Sequence, residues 1–331
     1  MATSCLRWVR GRRSKGNKMG NPTLRRRGSA FAAGLATIAM ALGLAAIPAE
    51  AAPPPRDIDY VALGDSYTAG TGADTIGRTA TGPFVPTLPC TQTAGGYVDA
   101  VKAVEPIVLA DNEACHGSLL ASPTWDGVTS VKRQVAQLAA QGKLSKDTEL
   151  VSMTAGANDV GVNNVLFKCA TSTPEECGQA LLEAKQALPN VFTDLVETFA
   201  AIHHQSPRAG IVILGYPSLF NTAGSSLVPV ERQMLINEGT AALNRTIAAA
   251  AAQAKATFEV QVQYVDVTDR FAGHEVNTLD PWVFLATSLD PSGLPQVDLF
   301  DPRNFHPNQA GHAAYASALL SSVNLKQLAR P

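Results

Sequence analysis

Five short apolar runs recur along the chain, each rich in Val and Ile and each followed by turn-forming residues. Residues 58–63 lead into Gly64, and 107–110 form the second run. The third, 149–154, ends before Gly156, the fourth, 210–214, at Gly215-Tyr216-Pro217, and the fifth, 260–265, at Asp266. Runs of this length predict buried strands. Between them the periodicity turns helical. Residues 131–141 place Val131, Val135 and Leu138 on one face. A long helix is expected over 175–202 with a break at Pro189, another over 231–255 carrying Leu235, Leu243 and Ile247, and a last one over 309–323. Strands alternating with helices predict an α/β fold, a parallel sheet covered on both faces, in a single domain. Sites in such sheets form beyond the carboxyl ends of the strands. Residues 71–92 and 279–303, rich in Gly, Pro and Thr, read as long surface loops.

The first fifty residues follow a different pattern. Arg25-Arg26-Arg27 precedes an almost wholly apolar stretch, 31–47, and Ala49-Glu50-Ala51 supplies a small-x-small cleavage site. This is the layout of a secretory signal peptide over 1–51, too short and too rich in Ala and Gly for a membrane anchor. Met19 is an alternative start, and the arginine run bears a faint likeness to a twin-arginine export signal. Cleavage after Ala51 would leave a domain at 52–331. The net charge of −2 counts a leader dense in Lys and Arg, so the mature chain is more acidic, and no basic surface for nucleic acid is evident. With Cys5 in the leader, four cysteines remain. An even count in an exported chain favours disulfides, here Cys90–Cys115 and Cys169–Cys177, which close short loops. A metal site is the rival reading, but no CxxC or spaced Cys/His pair supports it.

Candidate chemistry sits just after the strands or in the late loop. Ser66 follows the first strand in Leu63-Gly64-Asp65-Ser66-Tyr67-Thr68. A serine hydroxyl becomes a nucleophile only with a base to take its proton and donors for the oxyanion. Gly156-Ala157-Asn158-Asp159 follows the third strand, where the Asn158 amide can donate to an oxyanion. Phe305-His306-Pro307-Asn308 precedes the last helix, with Gly311 and His312 in its first turns. Each segment taken singly reads equally well as a turn or a surface histidine. The Gly-x-Ser-x-Gly elbow of α/β-hydrolases is absent, because Thr68 occupies the second glycine position.

Together these segments resemble the SGNH, or GDSL-type, hydrolase superfamily over residues 57 to about 325. Gly64-Asp65-Ser66-Tyr67 matches its first block, Gly156-Ala157-Asn158-Asp159 its Gly-x-Asn-Asp block, and His306-Pro307-Asn308 with Gly311-His312 its last block. Cys115-His116-Gly117-Ser118 is a weaker match to the second. The secreted actinomycete esterase and lipase branch is the most similar. The resemblance implies a flavodoxin-like three-layer αβα sandwich and acyl transfer to Ser66, with His306 as general base. It also implies an oxyanion hole from the amides of Ser66 and Gly117 and the Asn158 side chain. No cofactor or metal is implied. One departure stands out: Arg303 occupies the position, three residues before the histidine, where the family usually has Asp. Either Asp301 or the main-chain carbonyl of Arg303 then orients the His306 ring, and the carbonyl is favoured.

The expected substrate is a carboxylic ester, small or lipid, taken by a monomer with no stable membrane anchor. Residues 219–230 and 279–299, which include Trp282, are candidates for an apolar acyl groove. A polysaccharide or peptidoglycan O-acetyl esterase is the alternative of the same chemistry. With 6% aromatic residues and no cluster of them, the chain has little of what sugar binding favours. A non-catalytic secreted binding protein on this fold is the alternative of another class; Ser66, Asn158 and His306 occurring together argue against it.

Overall fold

The computed structural model describes residues 56–330 except 125–126, 290–291, 293–294 and 299, so the expected leader and Pro53-Pro54-Pro55 lie outside the described residues. In chain order the elements are β1 Ile58–Gly64, β2 Thr75–Ile76, β3 Thr79–Ala80, α1 Tyr97–Lys102, β4 Ile107–Asn112, α2 Val131–Ala140, β5 Leu150–Thr154, α3 Val162–Thr171 and α4 Pro174–Gln205. They continue with β6 Gly210–Leu214, α5 Val230–Phe258, β7 Val262–Val265, α6 Thr268–Phe271, β8 Thr287–Leu289, β9 Pro295–Val297, α7 Gln309–Ser322 and α8 Leu325–Leu328.

The five apolar runs form one sheet in the order β4-β1-β5-β6-β7, and all four pairings are parallel. Helices α1 and α7 pack on one face; α2, α4 and α5 pack on the other. Burial explains why the strands read as continuous apolar runs rather than alternating ones. Every residue of β5 is buried, and nearly every residue of β1 and β6, because both faces are covered. The outer strands β4 and β7 are only partly buried. The result is a flavodoxin-like αβα sandwich in one domain.

One helix differs from expectation. α4 runs unbroken through Pro189. The lost hydrogen bond would have involved the Lys185 carbonyl, and both residues are exposed, so water can replace the missing donor. Its start is well specified: Thr173 caps the Glu176 N–H, the Glu176 side chain returns to the Thr173 N–H, and Pro174 occupies the first turn. The two expected long loops hold small antiparallel hairpins, β2–β3 and β8–β9. Both expected disulfides form, Cys90–Cys115 and Cys169–Cys177. Among the described residues no helix is long and apolar enough to cross a membrane.

Candidate active site

β1 carries Ser66 to the carboxyl end of the sheet through a turn that only glycine permits. Gly64 has φ 129°, and a Cβ there would lie 2.3 Å from the Thr154 carbonyl oxygen at the end of β5. Fully buried Gln134 of α2 grips this glycine from both sides. The Gly64 N–H donates to Gln134 Oε1 (2.7 Å), and Nε2 donates to the Gly64 carbonyl (3.0 Å). The same Nε2 donates to Ser118 Oγ (3.0 Å), tying the Ser66 turn to the loop after β4. Asp65 anchors the turn from beneath. Its Oδ1 accepts from Thr154 Oγ1 (2.6 Å) and from the Tyr67 N–H (3.1 Å), and its Oδ2 accepts from the Tyr216 hydroxyl (2.5 Å). Burial pushes the Asp65 carboxyl up, and these hydrogen bonds oppose that shift.

Ser66 and His306, 240 residues apart, meet at the mouth of this turn. Ser66 Oγ lies 2.7 Å from His306 Nε2. The other ring nitrogen, Nδ1, is 2.9 Å from the carbonyl oxygen of Asn304. A carbonyl can only accept, so it selects the tautomer with the proton on Nδ1 and leaves Nε2 to take the serine hydrogen. Of the orienters read from sequence, Asp301 is absent from the ring, and the Arg303 carbonyl supports it only as a weaker second to the Asn304 carbonyl. The Arg303 carbonyl also accepts the main-chain N–H of His306 (3.1 Å). Asp301 is engaged by the Arg303 guanidinium, Nε to Oδ1 at 2.9 Å and Nη2 to Oδ2 at 2.7 Å. The reason is backbone shape. Phe305 has φ 62°, in the left-handed region, which curls the chain so that the carbonyl two residues before His306, more than the one three before, faces its ring. Burial, reinforced by nearby His116 and opposed by the Asn304 carbonyl, pushes His306 down to about 3.

Of the expected oxyanion donors, Asn158 lines the same cavity as Ser66, and Gly117 lies in the loop that Gln134 ties to the Gly64 turn. Gly117, with φ 82°, is the third residue of a tight turn closed by the Ser118 N–H on the Cys115 carbonyl (3.2 Å), a position that favours glycine. Among the described residues no main-chain carbonyl takes the N–H of Ser66 or of Gly117. The Asn158 amide donates one N–H to the Ser118 carbonyl (2.9 Å), which fixes the side chain and leaves a second N–H for an oxyanion. Asp159 accepts the Leu120 N–H (2.9 Å) and so holds the Gly117 loop from the far side; burial pushes its carboxyl up to about 6.

Ser66, His116, Asn158 and His306 line the polar end of a cavity of about 500 Å³. Its other end is apolar, built from Val162, Leu166 and Phe167 of α3, Leu219, and Leu243 of α5. The expected groove is thus displaced. Of residues 219–230 only Leu219 lines the cavity, and Trp282 packs instead on His274 and Phe271, with ring centroids 3.7 and 5.8 Å away. Among the described residues no group of three or more His, Cys, Asp or Glu is placed to hold a metal ion.

Residues 62–314 match the GDSL-like lipase/acylhydrolase family. The chain belongs to that family. Membership makes it a carboxylic ester hydrolase. It is similar to a lipase of Streptomyces rimosus, 29% identical over 306 residues, which is 91% of this chain and 99% of the relative. Lipase 1 of Streptomyces coelicolor is 27% identical over 84% of this chain and 92% of its own. Among solved structures, a phospholipase A1 from Streptomyces albidoflavus superposes with a TM-score of 0.61 at 26% identity, over 80% of this chain and 98% of that one. An extracellular lipase from Streptomyces rimosus shares the fold with a TM-score of 0.62 at 24% identity, over 80% and 100%.

Three supports of this GDSL-like site escaped the reading of the sequence. Gln134 looks there like any polar helix residue, and nothing local marks it as buried. Tyr216, in the turn after β6, carried only a turn signal. His116 sits inside the weakest of the four blocks, its ring 5.4 Å from that of His306. Asn308 caps α7, while His312, a residue that could pack or cap it, is buried and packs the helix. Its Nδ1 accepts the Tyr97 N–H (3.3 Å) and its Nε2 faces the Thr71 carbonyl (3.0 Å), joining α7 to the segments on either side.

Proposed function

We propose that this GDSL-like hydrolase is an exported serine esterase of the lipase type, a leader at 1–51 preceding a catalytic domain at 52–331. The observation that carries the proposal is the 2.7 Å contact between Ser66 Oγ and His306 Nε2, with Nδ1 held by a carbonyl, at one end of a half-apolar cavity. Ser66 Oγ attacks the ester carbonyl carbon as His306 Nε2 takes its proton. The oxyanion that forms receives hydrogen bonds from the amides of Ser66 and Gly117 and from the Asn158 side chain. Collapse breaks the bond to the alcohol oxygen, and His306 returns the proton to that oxygen. Water then attacks the acyl-serine, giving its proton to His306, and the carboxylic acid leaves as Ser66 is reprotonated. The acyl part lies along the apolar end of the cavity. The names of the relatives, two lipases and a phospholipase A1, support lipid-like esters over sugar acetates.

Export is supported by the arginine run, apolar stretch and small-x-small site, together with two disulfides in the folded part. A fluorophosphonate probe tests the chemistry. It should label the wild type on Ser66 and fail to label Ser66→Ala, while a folded wild type that resists labelling would overturn the reading.

A further inference from the structure

The apolar end of the catalytic cavity shares its lining with a neighbouring space. Val162 and Leu166 of α3, Leu219, and Thr240 and Leu243 of α5 also line a second, smaller space of about 50 Å³ between α3, α4 and α5. Beyond these shared residues its walls are mainly aliphatic, from Leu181 and Leu188 of α4 and Ile236 of α5. A space lined mainly by carbon suits an apolar guest.

Three cross-ties frame the slot, one for each pair of helices. The Cys169–Cys177 disulfide joins α3 to α4. Arg232 Nη1 of α5 donates to the Cys169 carbonyl of α3 (2.9 Å). Lys185 of α4, which lines the slot, pairs with Glu238 of α5 (3.5 Å). Gly239 faces the space from inside a 29-residue helix, where glycine is weaker than alanine. A Cβ there would meet only Leu181 Cδ2, at an ordinary 3.4 Å. Helix packing therefore does not demand glycine, whereas any longer side chain would fill the slot.

We propose that this slot receives the distal part of the substrate's acyl chain, so that long-chain carboxylic esters are the preferred substrates and Gly239 is a specificity-determining residue. The inference rests on the serine-esterase reading and adds a substrate class to it. The test measures kcat/KM for p-nitrophenyl acetate, hexanoate and dodecanoate with the wild type, Gly239→Leu, and Ala184→Phe, which intrudes from the α4 side. The dodecanoate-to-acetate ratio should fall at least tenfold in both variants, and free dodecanoate should inhibit acetate hydrolysis by the wild type more strongly than by either. An unchanged ratio in a variant with the wild-type circular dichroism overturns the slot while leaving the esterase reading intact. So does a wild type whose rate drops with every added methylene, a result that needs no variant to fold. A folded wild type that hydrolyses none of the three esters overturns both readings.

Discussion

Arg303 stands where a carboxylate would support the base, and its side chain does a different job. Its guanidinium binds Asp301 on two edges and reaches Asp74 Oδ2 (3.1 Å) and the Gly82 carbonyl (2.7 Å), pinning the base-bearing loop to the segment that follows Ser66. Loss of a true triad acid costs about 10⁴ in kcat. Asp301→Ala leaves the carbonyl behind His306 untouched, so kcat should fall less than about tenfold, while thermal unfolding should show about 1–3 kcal/mol of lost stability as Arg303 loses its main partner. Asn158→Ala should be felt in catalysis. Steady-state kinetics should show kcat down by about 10²–10³, or about 2.7–4 kcal/mol, with KM little changed, and thermal unfolding should show about 1–3 kcal/mol lost as the Ser118 carbonyl loses its donor. The pH–rate profile follows from His306. Its pKa lies near 3, below the ordinary value of about 6.5, so the ring stays neutral and able to accept a proton throughout mildly acid solution. kcat/KM should therefore hold nearly level from pH 7 to about pH 5, and a half-loss centred near pH 6.5 would contradict the buried geometry. The convergence of Ser66, Asn158 and His306 on one cavity was legible in the sequence because chemistry restricts which residue types such a motif can carry. The partner of Nδ1 was not, since a carbonyl belongs to every residue and only the left-handed turn at Phe305 decides which one arrives.

At the level of elements, the site is a set of strand ends bolted together by helices. α2 contributes Gln134 to β1 and to the Gly117 loop, and the turn after β6 contributes Tyr216 to Asp65. Gln134→Leu keeps the volume but strands the Gly64 N–H in the interior, while the Gly64 carbonyl keeps the Cys115 N–H (3.1 Å). A cost of about 1–3 kcal/mol for the group left unpaired is expected in chemical denaturation. Tyr216→Phe should cost about 1–2 kcal/mol by removing one donor from buried Asp65, and should lower kcat as the Ser66 turn loosens. The strands were readable from their apolar runs because burial on both faces suppresses alternation. α3 was missed for a physical reason as well. It begins after Gly161 with no capping side chain, and it turns only one stripe (Val165, Leu166, Cys169) inward. Yet it walls the apolar end of the cavity, so the sequence revealed the chemistry more readily than the chamber that holds the substrate.

For the whole molecule, the order β4-β1-β5-β6-β7 places β1 beside both β4 and β5, which brings the Ser66, Gly117 and Asn158 segments side by side. Alternating strands and helices imply right-handed parallel crossovers but leave the strand order open, so this adjacency was not legible in the sequence. Two disulfides close loops with separations of 25 and 8 residues. On the loop-entropy account they contribute roughly 3.5 and 2.5 kcal/mol. Reduction should therefore lower the melting temperature by roughly 10 °C or more, read by calorimetry with and without reductant. The response of stability to acid combines opposing signs. His306 and His312 are pushed down to about 3 and about 4, so below about 6.5 the unfolded chain binds protons that the folded one refuses, and stability falls as the pH drops. Asp159 is pushed up to about 6, so its costly buried charge is relieved by protonation over the same descent and stability is regained. Asp159→Asn removes the regaining half. Its melting temperature should fall more steeply than that of the wild type between pH 7 and pH 5.

The carbonyl behind His306 also changes how the enzyme can be broken. A carboxylate in that role could be deleted by one codon. The carbonyl of Asn304 survives every substitution at that position, because the support is carried by the path of the chain rather than by a side chain. A mutational scan should therefore find two side chains whose loss is fatal to the proton relay instead of three. The third point of failure should surface as insertions, deletions and prolines between 301 and 306, changes that alter the course of the loop.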